Sequence, residues 1–227
     1  MIPNPYPGIF IVFEGIDGCG KTGQVKKAAT WLRSLDIVRH AEIIETKEPN
    51  KLGLFGRKIY EDLDPDKGEK NNKLHIKEPF IFQTWYACDS KEHLVSSVIP
   101  ALETEAIVLS DRFRSSMVYG AANVSEIEKL MQMNQAIIGE HFIWPDKIII
   151  FDVPIETSIA RLRQKGVKLD GYEKESVLRQ VRRNFLFFAD NYPNCEIIPA
   201  EESIDEVFEK IKAVLLPLIK SKKHIPK

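Results

Sequence analysis

The 227-residue chain is 44% hydrophobic and nearly charge-balanced, with 32 basic against 33 acidic side chains. That length supports one sizeable core, and a formal net charge of -1 supplies no overall field for nucleic acid or an acidic membrane surface. Three cysteines, Cys19, Cys88 and Cys195, make neither an even set nor a metal-ligand spacing, so free thiols in a reducing compartment are expected. In chain order, a run dense in Ile, Val and Phe predicts a strand over residues 9–13. A glycine-rich stretch follows, and then Val25, Ala28, Leu32 and Leu35 recur on one helical face. Further short apolar runs predict strands at 42–46, 106–110, 147–152 and 196–199. They lack alternation, as strands of a parallel sheet covered on both faces do. Ser125 with Glu128, and Ser203 with Glu206, have capping-box spacing, so a helix is expected to start at each. Alternating strands and helices predict a three-layer α/β domain with right-handed crossovers. Polar residues 62–79 are the one long irregular stretch, read either as a surface loop or as a lid on the substrate side. No apolar run approaches the roughly 20 residues that cross a bilayer, and the proline-rich opening has no basic lead, so a cytoplasmic protein is expected.

Gly15, Gly20, Lys21 and Thr22 fit the pattern G-x-x-x-x-G-K-[ST] between the first strand and the first helix. Glycines let backbone N–H groups turn inward around an anion, and the helix N-terminus adds partial positive charge. Lys21 is therefore expected on the β- and γ-phosphates of a nucleotide and the Thr22 hydroxyl on Mg²⁺. Cys19, inside the loop, is read as a small filler rather than a redox switch. Asp111 ends a predicted strand, where a carboxylate can hold the metal or its waters, and Arg112 follows with a fork suited to phosphate. A guanine-reading N-K-x-D is absent: the two Asn-Lys pairs, at 50 and 72, continue to Gly53 and His75. A short chain built round one glycine loop points to a small-molecule kinase.

Longer stretches make the resemblance specific. Residues 10–24 (FIVFEGIDGCGKTGQ) resemble the F-I-x-F-E-G-x-D-G-x-G-K-T-T-Q opening of the thymidylate kinase family. TKEP at 46–49 is similar to its T-R-E-P, YACDSKEHL at 86–94 to its A-A-D-R-A-Q-H-V helix, and SDRF at 110–113 to its D-R-Y. FDVPIETSIARL at 151–162 resembles L-D-V-P-P-E-x-A-x-x-R, and 169–193 resembles the lid edge and the helix ending in Y-P. The resemblance implies a P-loop NTPase fold with a five-stranded parallel sheet flanked by helices, a single domain over 1–227 and a helical lid near 161–173. It implies ATP as donor, Mg²⁺ as cofactor, dTMP as acceptor, no nucleic-acid or membrane partner, and a homodimer.

Carried over by position, Gly15, Gly18, Cys19, Gly20, Lys21 and Thr22 bind ATP, and Thr22 with Asp111 supports the metal. Asp17 meets the acceptor sugar's 3′-hydroxyl, Lys47, Glu48 and Pro49 flank the acceptor, and Tyr86 stacks on its base beside Asp89 and Ser90. Arg112 binds the acceptor phosphate. Tyr119 either crowds the sugar 2′ position or is a core tyrosine, its segment being one residue shorter than the family's. The loop has no basic residue before Gly20, so Arg161, Arg163 or Lys165 is expected to supply the extra positive charge. The sequence departs from the pattern on the acceptor side. Ser90 stands for the base-contacting arginine, Lys47 for a phosphate-guiding arginine, and Asp170-Gly171 for the lid's Asp-Arg. Gly23 stands for the second threonine, and the G-G-T after Pro49 is missing, although Gly56 and Ile59 resemble the later G-E-x-I. A kinase for another nucleotide or nucleoside, and a nucleotide-binding protein without turnover, remain alternatives.

Overall fold

The computed structural model describes residues 2–64, 73–164 and 175–223. At its centre lies β2 (Ile9–Gly15), with all seven residues buried. Beside it run β3 (Ile43–Lys47), β4 (Ile107–Asp111), β6 (Lys147–Asp152) and β7 (Cys195–Pro199), every pairing parallel and in the order β3-β4-β2-β6-β7. A central strand covered on both faces has no polar side, which is why the runs at β2, β4 and β6 are unbroken in Ile, Val, Leu and Phe. Chain order reverses on the two flanks of β2, and the crevice at the carboxyl ends of such strands is where open α/β sheets take ligands.

Helices close both faces. They are α1 (Lys21–Arg33), α2 (Leu54–Leu63), α3 (Leu74–Lys77), α4 (Pro79–His93), α5 (Ile99–Glu103), α6 (Ser125–Ile138), α7 (Ile155–Gln164), α8 (Glu175–Asn191) and α9 (Ile204–Lys223). Val25, Ala28 and Leu32 of α1 point into the core as their spacing predicts, whereas Leu35 lies past the helix end and packs there only partly buried. All five predicted strands form, extended or shifted by one or two residues at most.

Local differences have local causes. Ser203 and Glu206 make the expected box, with the Ser203 N–H donating to Glu206 Oε2 at 3.0 Å. Ser125 does not cap α6, because Asn123 Oδ1 already accepts the Ser125 N–H at 3.0 Å and Glu126 reaches back to the Ala122 N–H at 2.8 Å. Asn123 and Glu126 close the turn before α6 instead, without a reciprocal box. Residues 62–79 are not irregular at their described ends: Asp62 closes α2, and its carboxylate accepts the Leu74 N–H at 2.9 Å and pairs with His75 Nδ1 at 2.6 Å. A small parallel pair, β1 (Ile2–Pro3) with β5 (Ile143–Trp144), has no periodicity that the sequence could advertise. It is fixed by Asp146 Oδ2, which accepts from Asn4 Nδ2 at 2.7 Å and from the Phe10 N–H at 2.8 Å. No helix among the described residues is long and apolar enough to cross a membrane.

Candidate active site

The glycine loop leaves the carboxyl end of β2 and enters α1 through Gly20, whose φ of 101° is left-handed. A side chain is excluded at Gly18, where φ is 79° and a Cβ would lie 2.6 Å from Ser158 O. That close approach lets Ser158 Oγ of α7 donate to Asp17 O at 2.5 Å, fastening the loop to the next helix. Lys21 Nζ donates to Gly15 O at 2.9 Å and to Ile16 O at 3.0 Å, so its ammonium lies within the loop. Cys19 is buried and packs against Gly15, consistent with a filler.

β4 brings the second set of groups to the same level, because Asp111 pairs in register with Phe13 of β2 and with Lys47 of β3. Thr22 Oγ1 donates to Asp111 Oδ2 at 2.6 Å, and Lys47 Nζ stands 3.9 Å from the same oxygen. Burial lowers the Lys47 pKa, with Asp111 opposing that shift. Arg112 has a φ of 75°, a left-handed conformation that costs a non-glycine residue about 1–3 kcal/mol and that aims its side chain back across the loop. Its Nη2 lies 2.5 Å from Asp17 Oδ1 and its Nη1 3.2 Å from Ser116 Oγ, and the guanidinium carbon is 5.0 Å from the Tyr119 ring centre. The Tyr119 hydroxyl donates to Asp17 Oδ2 at 3.0 Å. Burial alone raises the Asp17 carboxyl, but the Arg112 and Lys21 charges outweigh it and bring the pKa to about 2. The sequence reading left Tyr119 open between sugar contact and core; its ring packs edge-on against Phe185 while its hydroxyl faces the site.

Two clefts share this loop. One, of about 160 Å³, is lined by Asp17, Lys47, Glu48, Pro49, Tyr86 and Arg112, together with Tyr60, Leu63, Ser116 and Tyr119. The other, of about 480 Å³, lies across the loop, lined by Gly18, Cys19, Gly20, Arg161 and residues of α9. Arg161 donates to Ala200 O at 3.1 Å and to Cys19 O at 3.4 Å, so its guanidinium is committed to backbone carbonyls beside the loop. Arg163 is exposed on the last turn of α7, while Lys165, Asp170 and Gly171 lie outside the described residues.

Several sequence-expected residues form the wall behind the first cleft rather than its surface. Ser90 is buried and donates to Glu48 Oε2 at 2.5 Å, while His93 Nδ1 meets Glu48 Oε1 at 3.0 Å and His93 Nε2 meets Thr46 Oγ1 at 2.5 Å. Asp89 accepts the Asn50 N–H at 3.0 Å, and burial first, then repulsion from Glu48, pushes its pKa up to about 7. Glu14, fully buried, accepts from the Phe113 N–H at 3.0 Å and from Ser115 and Ser116 Oγ at 2.8 Å, fixing the segment that carries Arg112. Sequence reasoning passed over Glu14 although its signal is plain: an acid inside an apolar strand must be held by something. Tyr60 and Ser116 carried no such mark.

One loop serving a cleft on each side is the plan of a phosphate-loop phosphotransferase, with the donor's phosphates at the helix N-terminus and an acceptor facing them. The sequence pattern of the family described as Thymidylate kinase matches residues 13–211, and the chain belongs to that family. It is 33% identical over 217 residues to a probable thymidylate kinase of Thermococcus kodakarensis, covering 93% of this chain and 98% of that one. A probable thymidylate kinase of Thermococcus gammatolerans is 31% identical, over 90% of this chain and 94% of its own. A thymidylate kinase of Anoxybacillus flavithermus is 31% identical, over 93% and 98% respectively.

Proposed function

We propose that the chain transfers the γ-phosphate of ATP to dTMP, giving ADP and dTDP. The observation that carries this reading is the shared loop: Asp17 lines one cleft while Gly18, Cys19 and Gly20 line the other. Consecutive residues of one rigid turn thus hold the two reactants apart by the width of the loop. The names of the relatives supply the base. The attacking phosphate oxygen is already ionised at neutral pH, so no general base is required, and catalysis is positioning plus charge neutralisation.

ATP lies across Gly15, Gly18, Cys19, Gly20, Lys21 and Thr22, with its nucleoside in the cleft beside Arg161. Lys21 leaves its loop carbonyls for the β- and γ-phosphates. Arg112 holds the acceptor phosphate and Asp17 the sugar 3′-hydroxyl, with Tyr119 beside it and Tyr86 against the base. Lys47, Glu48 and Pro49 close the near side of the acceptor, and Asp89 and Ser90 support that wall. The Thr22 hydroxyl and Asp111 carboxylate are adjacent hard oxygen donors, which suits Mg²⁺, a cation bound through one or two protein oxygens plus substrate phosphates. When bound, Mg²⁺ neutralises charge building on the transferring phosphoryl group. Arg163, with Arg161 behind it, supplies positive charge from α7. We further propose that residues 1–227 act as one kinase unit with a lid near 161–173, working in the cytoplasm as a homodimer and taking no nucleic-acid partner. The exposed Phe80 and Ile81 of α4 support the dimer. A coupled ADP-release assay with ATP and Mg²⁺ against a panel of nucleosides and monophosphates tests the reading. Turnover is expected to be fastest with dTMP; equal or faster turnover with another acceptor overturns it.

A further inference from the structure

Two buried side chains, one over the Tyr86 ring and one a turn before it on α4, each carry a polar atom with no partner among the described residues. Arg114, 1% exposed, spends Nε on Asn134 Oδ1 at 2.5 Å, but its Nη2 has no hydrogen-bond partner among the described residues. Gln83, equally buried, leaves Oε1 unpaired in the same way. Such groups cost stability, and a native fold keeps them for a reason. Arg114 is the stronger case, since it places a full positive charge inside the protein. Its guanidinium carbon lies 6.0 Å from the centre of the Tyr86 ring, the aromatic surface of the smaller cleft.

Their neighbour on the same helix face is already committed. Gln83, Tyr86 and Ser90 fall at i, i+3 and i+7 of α4 and so share one face. Ser90 is committed to Glu48 and has no proton left to donate. Gly120 makes room for Gln83: a Cβ there would lie 2.3 Å from Gln83 Cγ. The carboxamide is therefore pressed against the backbone directly after Tyr119. An arginine can only donate, and the orphaned Gln83 oxygen can only accept.

We propose that Arg114 and Gln83 set base specificity in this cleft, reading the keto–imide edge of a pyrimidine seated on Tyr86. Arg114 Nη2 donates to the C4 carbonyl oxygen, and Gln83 Oε1 accepts the N3–H. Thymine and uracil offer that pair of atoms. Cytosine offers the reverse, an amino donor at C4 and a bare N3, and would set donor against donor. The inference rests on reading this cleft as the monophosphate site.

Calorimetric titration of the full chain with dTMP, dCMP and the monophosphate of 2-pyrimidinone deoxyriboside, which lacks both the C4 oxygen and the N3–H, separates the two. Wild type is expected to bind dTMP about 10- to 100-fold more tightly than either comparator, the size of one hydrogen bond to a charged group. Arg114→Met is expected to compress that ratio to within about threefold while ATP affinity is kept, and Arg114→Lys, which keeps charge without the fork, to fall between. If wild type binds dTMP and the 4-deoxy analogue equally, or if Arg114→Met or Arg114→Lys with normal ATP affinity keeps the full ratio, the inference is overturned and the monophosphate site stands. If wild type binds no pyrimidine monophosphate, the reading of the cleft fails and this inference falls with it.

Discussion

Asp17 and Arg112, 95 residues apart in sequence, meet at 2.5 Å across the mouth of the smaller cleft. The pair joins the glycine loop to the end of β4, and the Tyr119 hydroxyl completes it by donating to the second Asp17 oxygen. Because Asp17 is held at a pKa of about 2, below its unfolded value, its contribution to stability is present above that unfolded value and is lost only as pH falls towards 2. The pair is therefore intact throughout the neutral range. Arg112→Lys keeps the charge but loses the fork, and is expected to lower kcat/KM for the acceptor about 100-fold with the KM for ATP nearly unchanged. Asp17→Asn should raise the acceptor KM in the same selective way. Steady-state kinetics with each substrate varied in turn decides it, and equal losses on both substrates would argue against an acceptor role.

The Thr22–Asp111 contact makes a separate prediction about metal. Asp111→Asn removes the negative charge but leaves a side chain that can accept the Thr22 proton, so the fold should survive by circular dichroism. The variant is expected to need a higher Mg²⁺ concentration for half-maximal rate and to lose about 10²–10³ in kcat. Chelation of divalent cations by EDTA should abolish wild-type turnover. A variant with unchanged Mg²⁺ dependence would remove Asp111 from the metal's surroundings.

The glycine loop and most of the residues lining the smaller cleft were legible in the sequence, whereas the buried wall behind that cleft was not. Lys21 and Thr22 are fixed by local spacing, since the loop that places them is a single turn between β2 and α1. Asp111 could be read because a strand end puts it at the loop's level through sheet register, which strand alternation with helices already implied. Ser90 could be seen to depart from the family pattern, but not that it turns away to Glu48. That choice depends on α4 meeting the turn after β3, where Glu48 lies, a tertiary contact with no periodic trace. Arg114 was equally silent: a basic residue after Asp111-Arg112-Phe113 reads as a surface charge until α6 places Asn134 on its Nε.

Asp89 gives the wall behind the smaller cleft a titration of its own. Its pKa of about 7 lies above the unfolded value of an aspartate, so the folded protein holds a proton that the unfolded chain has released. Stability from this group is fully present below the unfolded pKa and is lost as pH rises towards and through about 7. Melting temperature is therefore expected to fall between about pH 5 and about pH 8, and Asp89→Asn should flatten that slope because its amide oxygen still accepts the Asn50 N–H. Thermal melts of both proteins across this range are the check. Parallel curves would show that Asp89 is ionised in the fold.

Arg161 and Arg163 sit two residues apart on α7 yet are expected to fail differently. Arg161 binds three backbone carbonyls, of Cys19, Ala200 and Glu201, and so shapes the larger cleft from behind the loop. Arg161→Met strands those carbonyls and loosens the cleft, so its first effect should be on the KM for ATP, with a loss of about 1 kcal/mol in stability for each carbonyl left buried and unpaired. Arg163 is exposed at the helix end, and its truncation should cost no measurable stability. If it neutralises charge only in the transition state, Arg163→Ala lowers kcat and kcat/KM by the same factor and leaves both KM values in place. Single-turnover rates at saturating ATP and dTMP separate the two outcomes. A wild-type rate in Arg163→Ala would leave charge neutralisation to Lys21, Arg112 and the metal.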